Sequence, residues 1–200
     1  MTPKPYLSWT QMDLVERNPE EYVRVYIHGE KMRFGPAARE GIKLGKDVAD
    51  ALEADEETGN EINDLVIAQL PKYELMDHKF EGEITVGKVE IPFLMKIDSA
   101  AEDLSAFYEY KTGLTAWSQK KAEEHGQIGF YSTGCCAITG KIPKSKLIYA
   151  PSERTNGGLR LNGEIIEFET TKNFKDILKF KIRIKNAWLK IQELTERELI

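Results

Sequence analysis

Up to about residue 70, apolar positions recur at helical spacing; after Tyr73 they come in short runs separated by glycine. This pattern predicts a helical opening followed by a region rich in strands. Ser8-Trp9-Thr10-Gln11 places a hydroxyl three residues before a Gln, a helix-start spacing, and Asn18-Pro19-Glu20-Glu21 supplies a cap, a first-position proline and early acids. A short helix therefore starts near Ser8. A second follows Asn18, with Tyr22, Val25, Tyr26 and Ile27 as its apolar side. Gly35-Pro36 breaks the chain, and residues 37–53 read as a helix whose stripe is Leu44, Val48, Ala51 and Leu52. Residues 55–60 read as an acidic loop and 61–70 as another short helix.

Beyond Tyr73 the predicted elements are a hairpin of residues 83–86 and 89–97 turning at Gly87-Lys88, and a strand over 106–111 stopped by Thr112-Gly113. Helical character follows over 117–136, then a buried strand over 146–150. A loop or hairpin at 154–158, an edge strand over 164–169 and a long helix over 174–198 complete the chain. The fold class expected is mixed α/β: a central sheet with an antiparallel hairpin, flanked by helices. The expected organisation is one domain over 1–200, with N-terminal helices at 6–70, a core at 73–150 and a C-terminal strand and basic helix at 151–200.

The 200 residues are 41% hydrophobic and 30% charged, a globular balance. The net charge of -5 argues against a protein that coats nucleic acid nonspecifically. The longest clean apolar stretch, near Ile91 to Met95, is far below the roughly 18 to 20 residues of a membrane span, so no membrane partner is expected. Met1-Thr2-Pro3-Lys4-Pro5 lacks the apolar core of a signal peptide, and Cys135 and Cys136 are adjacent, a poor arrangement for a structural disulfide. A reducing cytoplasm is the expected location.

The informative chemistry is Asp98 and, after ten intervening residues, Glu109-Tyr110-Lys111. In a strand Glu109 and Lys111 project to one side, and pairing with the strand bearing Asp98 would bring two carboxylates and an ammonium together. Such a group suits metal-assisted phosphodiester hydrolysis, which needs hard oxygen ligands for Mg²⁺ or Mn²⁺ and a cation near the attacking water. The plain alternative is a solvated hairpin face with ordinary surface charges. Asp77-His78-Lys79 has the same acid-x-lysine spacing but no apolar flank, and reads as a chance match in a polar segment.

Glu109-Tyr110-Lys111-Thr112-Gly113 followed by Gln127-Ile128-Gly129-Phe130-Tyr131 resembles the PD-(D/E)XK nuclease superfamily, in its RecB-like branch that includes phage-type exonucleases. Tyr6 to Gln11 is similar to the branch's opening helix and Leu44 to Glu53 to its first-motif helix. The resemblance implies a restriction-endonuclease-like core and a Mg²⁺- or Mn²⁺-dependent deoxyribonuclease of phage or bacterial DNA processing, acting on DNA ends and leaving 5′-phosphates. It implies metal ligation by Asp98, Glu109 and the Tyr110 backbone carbonyl, and a positioning role for Lys111. Gln127 and Tyr131 would hold the substrate strand or orient these groups. Where the branch commonly has a His this chain has Ala49. Glu53, one turn further, is the expected substitute carboxylate and Asp50 the less favoured one; both as plain surface acids is the other reading. The iron-sulfur cluster that some relatives hold needs four cysteines, so none is expected.

Between Thr170 and Lys190 seven basic residues stand against Asp176 alone, a local charge of +6. Lys179, Lys181 and Arg183 on this helix are therefore candidate DNA contacts, on single or double strands, and Lys141, Lys144 and Lys146 form a smaller cluster. The plain alternative is the wet face of an amphipathic helix. Trp117 is expected to pack at a helix start and His125 to be solvated or capping. A protein partner or homo-oligomer is compatible with the chain. Two other functions stay open: a nuclease-fold module with weakened catalysis that binds DNA or a partner, and a site-specific endonuclease.

Overall fold

The computed structural model describes residues 4–199. Four helical segments come first: α1 (Trp9–Arg17), α2 (Pro19–Tyr22), α3 (Pro36–Ala54) and α4 (Glu61–Gln69). The predicted caps are in place. Ser8 Oγ accepts from Gln11 N at 3.4 Å, and Asn18 Oδ1 accepts from Glu21 N at 3.1 Å. Past Tyr22 the helix relaxes into a π-helical turn over Val23–Ile27, which buries Val23 with Tyr22 and Ile27 and leaves Val25 and Tyr26 half-buried. The expected stripe of Leu44, Val48, Ala51 and Leu52 is the buried face of α3.

The strands are β1 (Leu75–Val86), β2 (Val89–Ala100), β3 (Ala106–Gly113), β4 (Lys144–Thr155), β5 (Gly158–Leu161) and β6 (Ile166–Glu169). They form a mixed sheet in the order β1-β2-β3-β4-β5, with β6 also paired to β4. β3 and β4 run parallel, and every other pair is antiparallel. A parallel pair needs a crossover. Here it consists of α5 (Gln119–Glu123) and α6 (Gly126–Thr139), two helices where the sequence reads as one. The hairpin is longer than its apolar run, since β1 starts at Leu75 and takes in the polar residues 77–79.

α6 is buried on nearly all sides, and its glycines make this possible. A Cβ on Gly129 would lie 2.2 Å from the Phe180 ring, and one on Gly134 2.7 Å from the Met95 sulfur. α6 thus seats against β2 on one side and α7 (Phe174–Leu199) on another. Its residues join Leu7, Met12, Phe93, Ile97, Phe107 and Ile184 in the main core. α3 and α4 build a second core with Ile148, Ala150 and Leu161. Cys135 lies in the main core, where burial raises its thiol to about 12. Among the described residues no helix is long and apolar enough to cross a membrane. The fold class is mixed α/β, a six-stranded sheet flanked by helices, as expected.

Candidate active site

The site lies where the β2–β3 ladder opens. The two strands pair only at Ser99 with Tyr108 and Ala100 with Phe107. One step further in that register Asp98 falls opposite Glu109, and no ladder forms there. Instead the Asp98 carboxylate accepts the Tyr110 N–H at 2.8 Å, a side chain standing in for a backbone acceptor. On the other side of β2, His78 pairs with Ile97 and Met76 with Ser99, so Asp77 also falls opposite Asp98. Asp77 has φ +48, a left-handed kink within β1, and forms an ion pair with Lys96. Three acids on three strands therefore occupy one row. The sequence reading set Asp77 aside; tertiary register brings it to the site.

Lys111 completes the group. Its Nζ lies 2.5 Å from Glu109 Oε1 and donates to Gln127 Oε1 at 2.9 Å. Gln127 in turn donates from Nε2 to the Tyr131 hydroxyl at 2.9 Å, and that hydroxyl donates to the Lys96 carbonyl at 2.5 Å. One turn of α6 thereby ties the lysine of β3 to the backbone of β2. Gln127 and Tyr131 are placed to orient Lys111 and the strand bearing Asp98. The Tyr110 ring points elsewhere, its hydroxyl donating to the Pro71 carbonyl at 2.6 Å.

Burial controls the charges. Glu109 is 1% exposed, and burial, reinforced by Asp98, raises its carboxyl to about 8 despite Lys111. Asp98 is also held above its ordinary value, by burial first and secondarily by Asp77, against the pull of Lys111 and the Tyr110 N–H. For Lys111 burial disfavours the charge, but Glu109 and Asp98 outweigh it and its pKa is raised. Lys111 pairs with Glu109 and attracts Asp98 at longer range, and Glu109 Oε2 is buried without a hydrogen-bond partner. An oxygen in that state suits a cation. The donors are hard carboxylate oxygens, which fit Mg²⁺ or Mn²⁺. Against a complete metal centre, no group of three or more His, Cys, Asp or Glu side chains that could hold a metal is gathered among the described residues.

These groups line a cavity of about 250 Å³ between β1, β2, β3, α3 and α6. Asp77, Asp98, Glu109, Lys111 and Gln127 form its polar wall, and Val48, Ala49 and Leu52 its α3 wall. Glu53 is exposed and is not among the lining residues, nor is Asp50, which pairs with Lys46. The substitute ligand expected at Glu53 is therefore not delivered in this arrangement: α3 turns its methyl-bearing Ala49 to the cavity instead.

The predicted basic contacts lie apart from this cavity. Arg183 is held by Glu16 through two hydrogen bonds of 2.8 and 2.6 Å, while Lys179 is exposed and Lys181 half-buried on α7. Lys146 is bridged to Glu167 and Glu169. His125 stands at the N-cap position of α6, as one of its expected roles has it, but makes no side-chain cap hydrogen bond. It is half-buried between the Trp9 and Trp117 rings, and burial with nearby Lys111, Lys121 and Lys172 lowers its pKa to about 4. Trp117 packs against Ala122, Leu147, Tyr149 and Phe168, as expected for a packing residue.

No family model matches this sequence, and no curated protein matches it. Solved structures do match. A protein from Eubacterium rectale, named an exonuclease by assignment, superposes with a TM-score of 0.62 at 13% identity, covering 98% of this chain and 83% of that one. The chain shares its fold with that protein. Its architecture accords with a restriction-endonuclease-like core. SSO0001 matches 94% of this chain and 78% of its own at 12% identity, with a TM-score of 0.48. The Rai1 protein of Scheffersomyces stipitis covers 57% of this chain and 33% of its own at 17% identity, with a TM-score of 0.29. Neither of these two scores is high enough to support an argument.

Proposed function

We propose that the protein is a Mg²⁺- or Mn²⁺-dependent deoxyribonuclease that hydrolyses phosphodiester bonds at DNA ends. The observation that carries this reading is the buried pair Asp98 and Glu109 beside Lys111, with Glu109 Oε2 lacking any partner. Asp98, Glu109 and the Tyr110 carbonyl would hold the cation, which when bound supplies Lewis acidity and an acidified water. Lys111 would orient the attacking water and offset the negative charge that gathers on the oxygens around the pentavalent phosphorus. Gln127 and Tyr131 would keep the ammonium aimed, and Asp77 would restrain Lys96 beside them. Attack at phosphorus with departure of the 3′ oxygen leaves a 5′-phosphate, the product the sequence resemblance implies. The preference for ends over internal sites rests on that resemblance and on the Eubacterium rectale neighbour's name.

A second reading has its own observation. Ala49 lines the cavity where a further ligand would enter, and Asp77, the third acid of the row, is paired with Lys96, so that among the described residues no three such side chains gather as a metal-holding group. That favours a nuclease-fold module which binds DNA or a partner with weakened catalysis.

One assay separates the readings. Linear and closed-circular DNA are incubated with Mg²⁺, with Mn²⁺ and with EDTA. Metal-dependent loss of linear DNA that disappears in Lys111→Ala supports the nuclease. Binding without cleavage under either metal supports the module, and discrete fragments from closed circles would favour a site-specific endonuclease.

A further inference from the structure

Beyond the Gln127–Tyr131 pair lies a second hollow of about 230 Å³, which shares Gln127 with the catalytic cavity. Its far wall is aromatic: Tyr6 from the segment before α1, Trp9 of α1 and Tyr26 of the π-helical turn. Lys4 and Lys96 are its charged residues, Lys96 being paired with Asp77 outside the hollow, and among the described residues no acid lines it. The Lys4 ammonium stands over both tyrosine rings, 5.6 Å from the Tyr6 centroid and 5.8 Å from that of Tyr26. Tyr26 is itself backed by the fully buried Tyr22 ring, stacked at 5.0 Å, so it is a fixed platform.

In a chain of net charge -5, a hollow that combines four aromatic rings, counting Tyr131, with the Lys4 ammonium and no carboxylate among the described residues selects for a planar, anionic ligand. At about 230 Å³ it has room for one base and is too small for a duplex. We propose that this hollow is a nucleotide subsite for single-stranded DNA, seating the nucleotide next to the cleaved phosphodiester. The base takes the place of the Lys4 ammonium over the Tyr26 and Tyr6 rings, and the displaced Lys4 meets the adjoining phosphate. Base–aromatic stacking tolerates any sequence because every base has a π-face. The π-helical turn gains a purpose in this arrangement: it is the segment that carries Tyr26 into the hollow.

This inference rests on the nuclease reading but is tested without cleavage. Binding of a fluorescein-labelled single-stranded 12-mer is followed by anisotropy in EDTA across a salt series, with the full chain and with each variant's melting temperature recorded. Tyr26→Ala is expected to weaken binding about tenfold, the typical cost of losing a stacking ring. Tyr26→Phe keeps the ring and should bind within about twofold of the parent. Lys4→Ala should lower the slope of log Kd against log salt by about 0.7, one phosphate contact on a single strand. A folded Tyr26→Ala that binds like the parent overturns the subsite, as does a Tyr26→Phe that loses as much as the alanine. If Tyr26→Ala melts early, Tyr6→Ala and the Lys4→Ala slope decide on the same terms. Strong single-strand binding with no cleavage under any metal would remove the nuclease reading and leave the subsite; cleavage with insensitive variants would do the reverse.

Discussion

Asp98 accepts the N–H of Tyr110, at the row where its own strand stops pairing with that of Glu109. The carboxylate therefore holds open the gap it faces. A backbone ladder continued through this row would close the space in which the two acids and Lys111 meet. The same bond keeps the Tyr110 carbonyl on a fixed peptide, next to the acid it is proposed to assist.

Removing the Asp98 acceptor should thus affect both shape and metal binding. Asp98→Asn keeps an oxygen for the Tyr110 N–H but lacks the charge, whereas Asp98→Ala lacks both. Both are expected to lose metal-dependent activity, and only the alanine to lose additional stability, about 1–3 kcal/mol for an unsatisfied buried N–H. Urea unfolding of the metal-free variants measures this; equal stability would show that the bond does not hold the gap.

Lys111→Ala should abolish cleavage by about 10²–10³-fold, the range seen when one preorganised electrostatic group is removed. It should also weaken Mn²⁺ binding at neutral pH. Without the ammonium, Glu109 keeps its proton more firmly, and a proton competes with the cation. Calorimetric titration at pH 7 and pH 9 tests this: the binding defect should be smaller at the higher pH.

The buried carboxyl sets a pH dependence whose sign is definite. Folded Glu109 keeps its proton to about 8, while the ordinary value is 4.5. Between these values the folded state binds the extra proton, so this group's contribution to metal-free stability falls as the pH rises from about 4.5 to about 8 and is level above. Asp98 adds with the same sign. Denaturation at pH 5, 6.5 and 8.5 should show Glu109→Gln gaining on the parent as pH rises. A constant difference between the two proteins would contradict the assignment.

Tyr131→Phe removes the hydroxyl that joins Gln127 to the Lys96 carbonyl. Lys111 would then be aimed less well, without losing its charge or the metal ligands. A roughly tenfold fall in kcat with KM little changed is expected, consistent with lost positioning. A change confined to KM would point instead to direct substrate contact.

On α3 the cavity faces Ala49, not Glu53. Ala49→His is therefore expected to tighten Mn²⁺ binding by supplying an imidazole from the cavity wall, and Glu53→Gln to leave Mn²⁺ affinity within about twofold. Isothermal titration of both variants checks this. A large loss in Glu53→Gln would restore the acid to the site.

Local patterns carried much of the architecture. The caps at Ser8 and Asn18 and the stripe from Leu44 to Leu52 depend on neighbours within one or two turns, and such contacts are written in spacing alone. Asp98, Glu109 and Lys111 were legible because two short strands and a turn place them. Gln127 and Tyr131 share a helix face for a similarly local reason, and their closure onto Lys111 and Lys96 adds the partners. What spacing could not supply is register between distant strands and the direction a helix face takes once packed. Asp77 joins the row of acids only because β1 pairs with β2 through a kinked residue, in a segment whose polar texture hides a strand. Arg183 meets Glu16 across 167 residues, an ion pair that spacing alone does not reveal. Ala49 and Glu53 lie one turn apart, close enough that only the seating of α3 on the sheet chose between them. The sequence by itself determined which elements form and which chemical groups they bear, since both follow from short-range spacing. The tertiary structure decided which of those groups share a cavity, because burial, register and long-range pairing arise only when the elements pack.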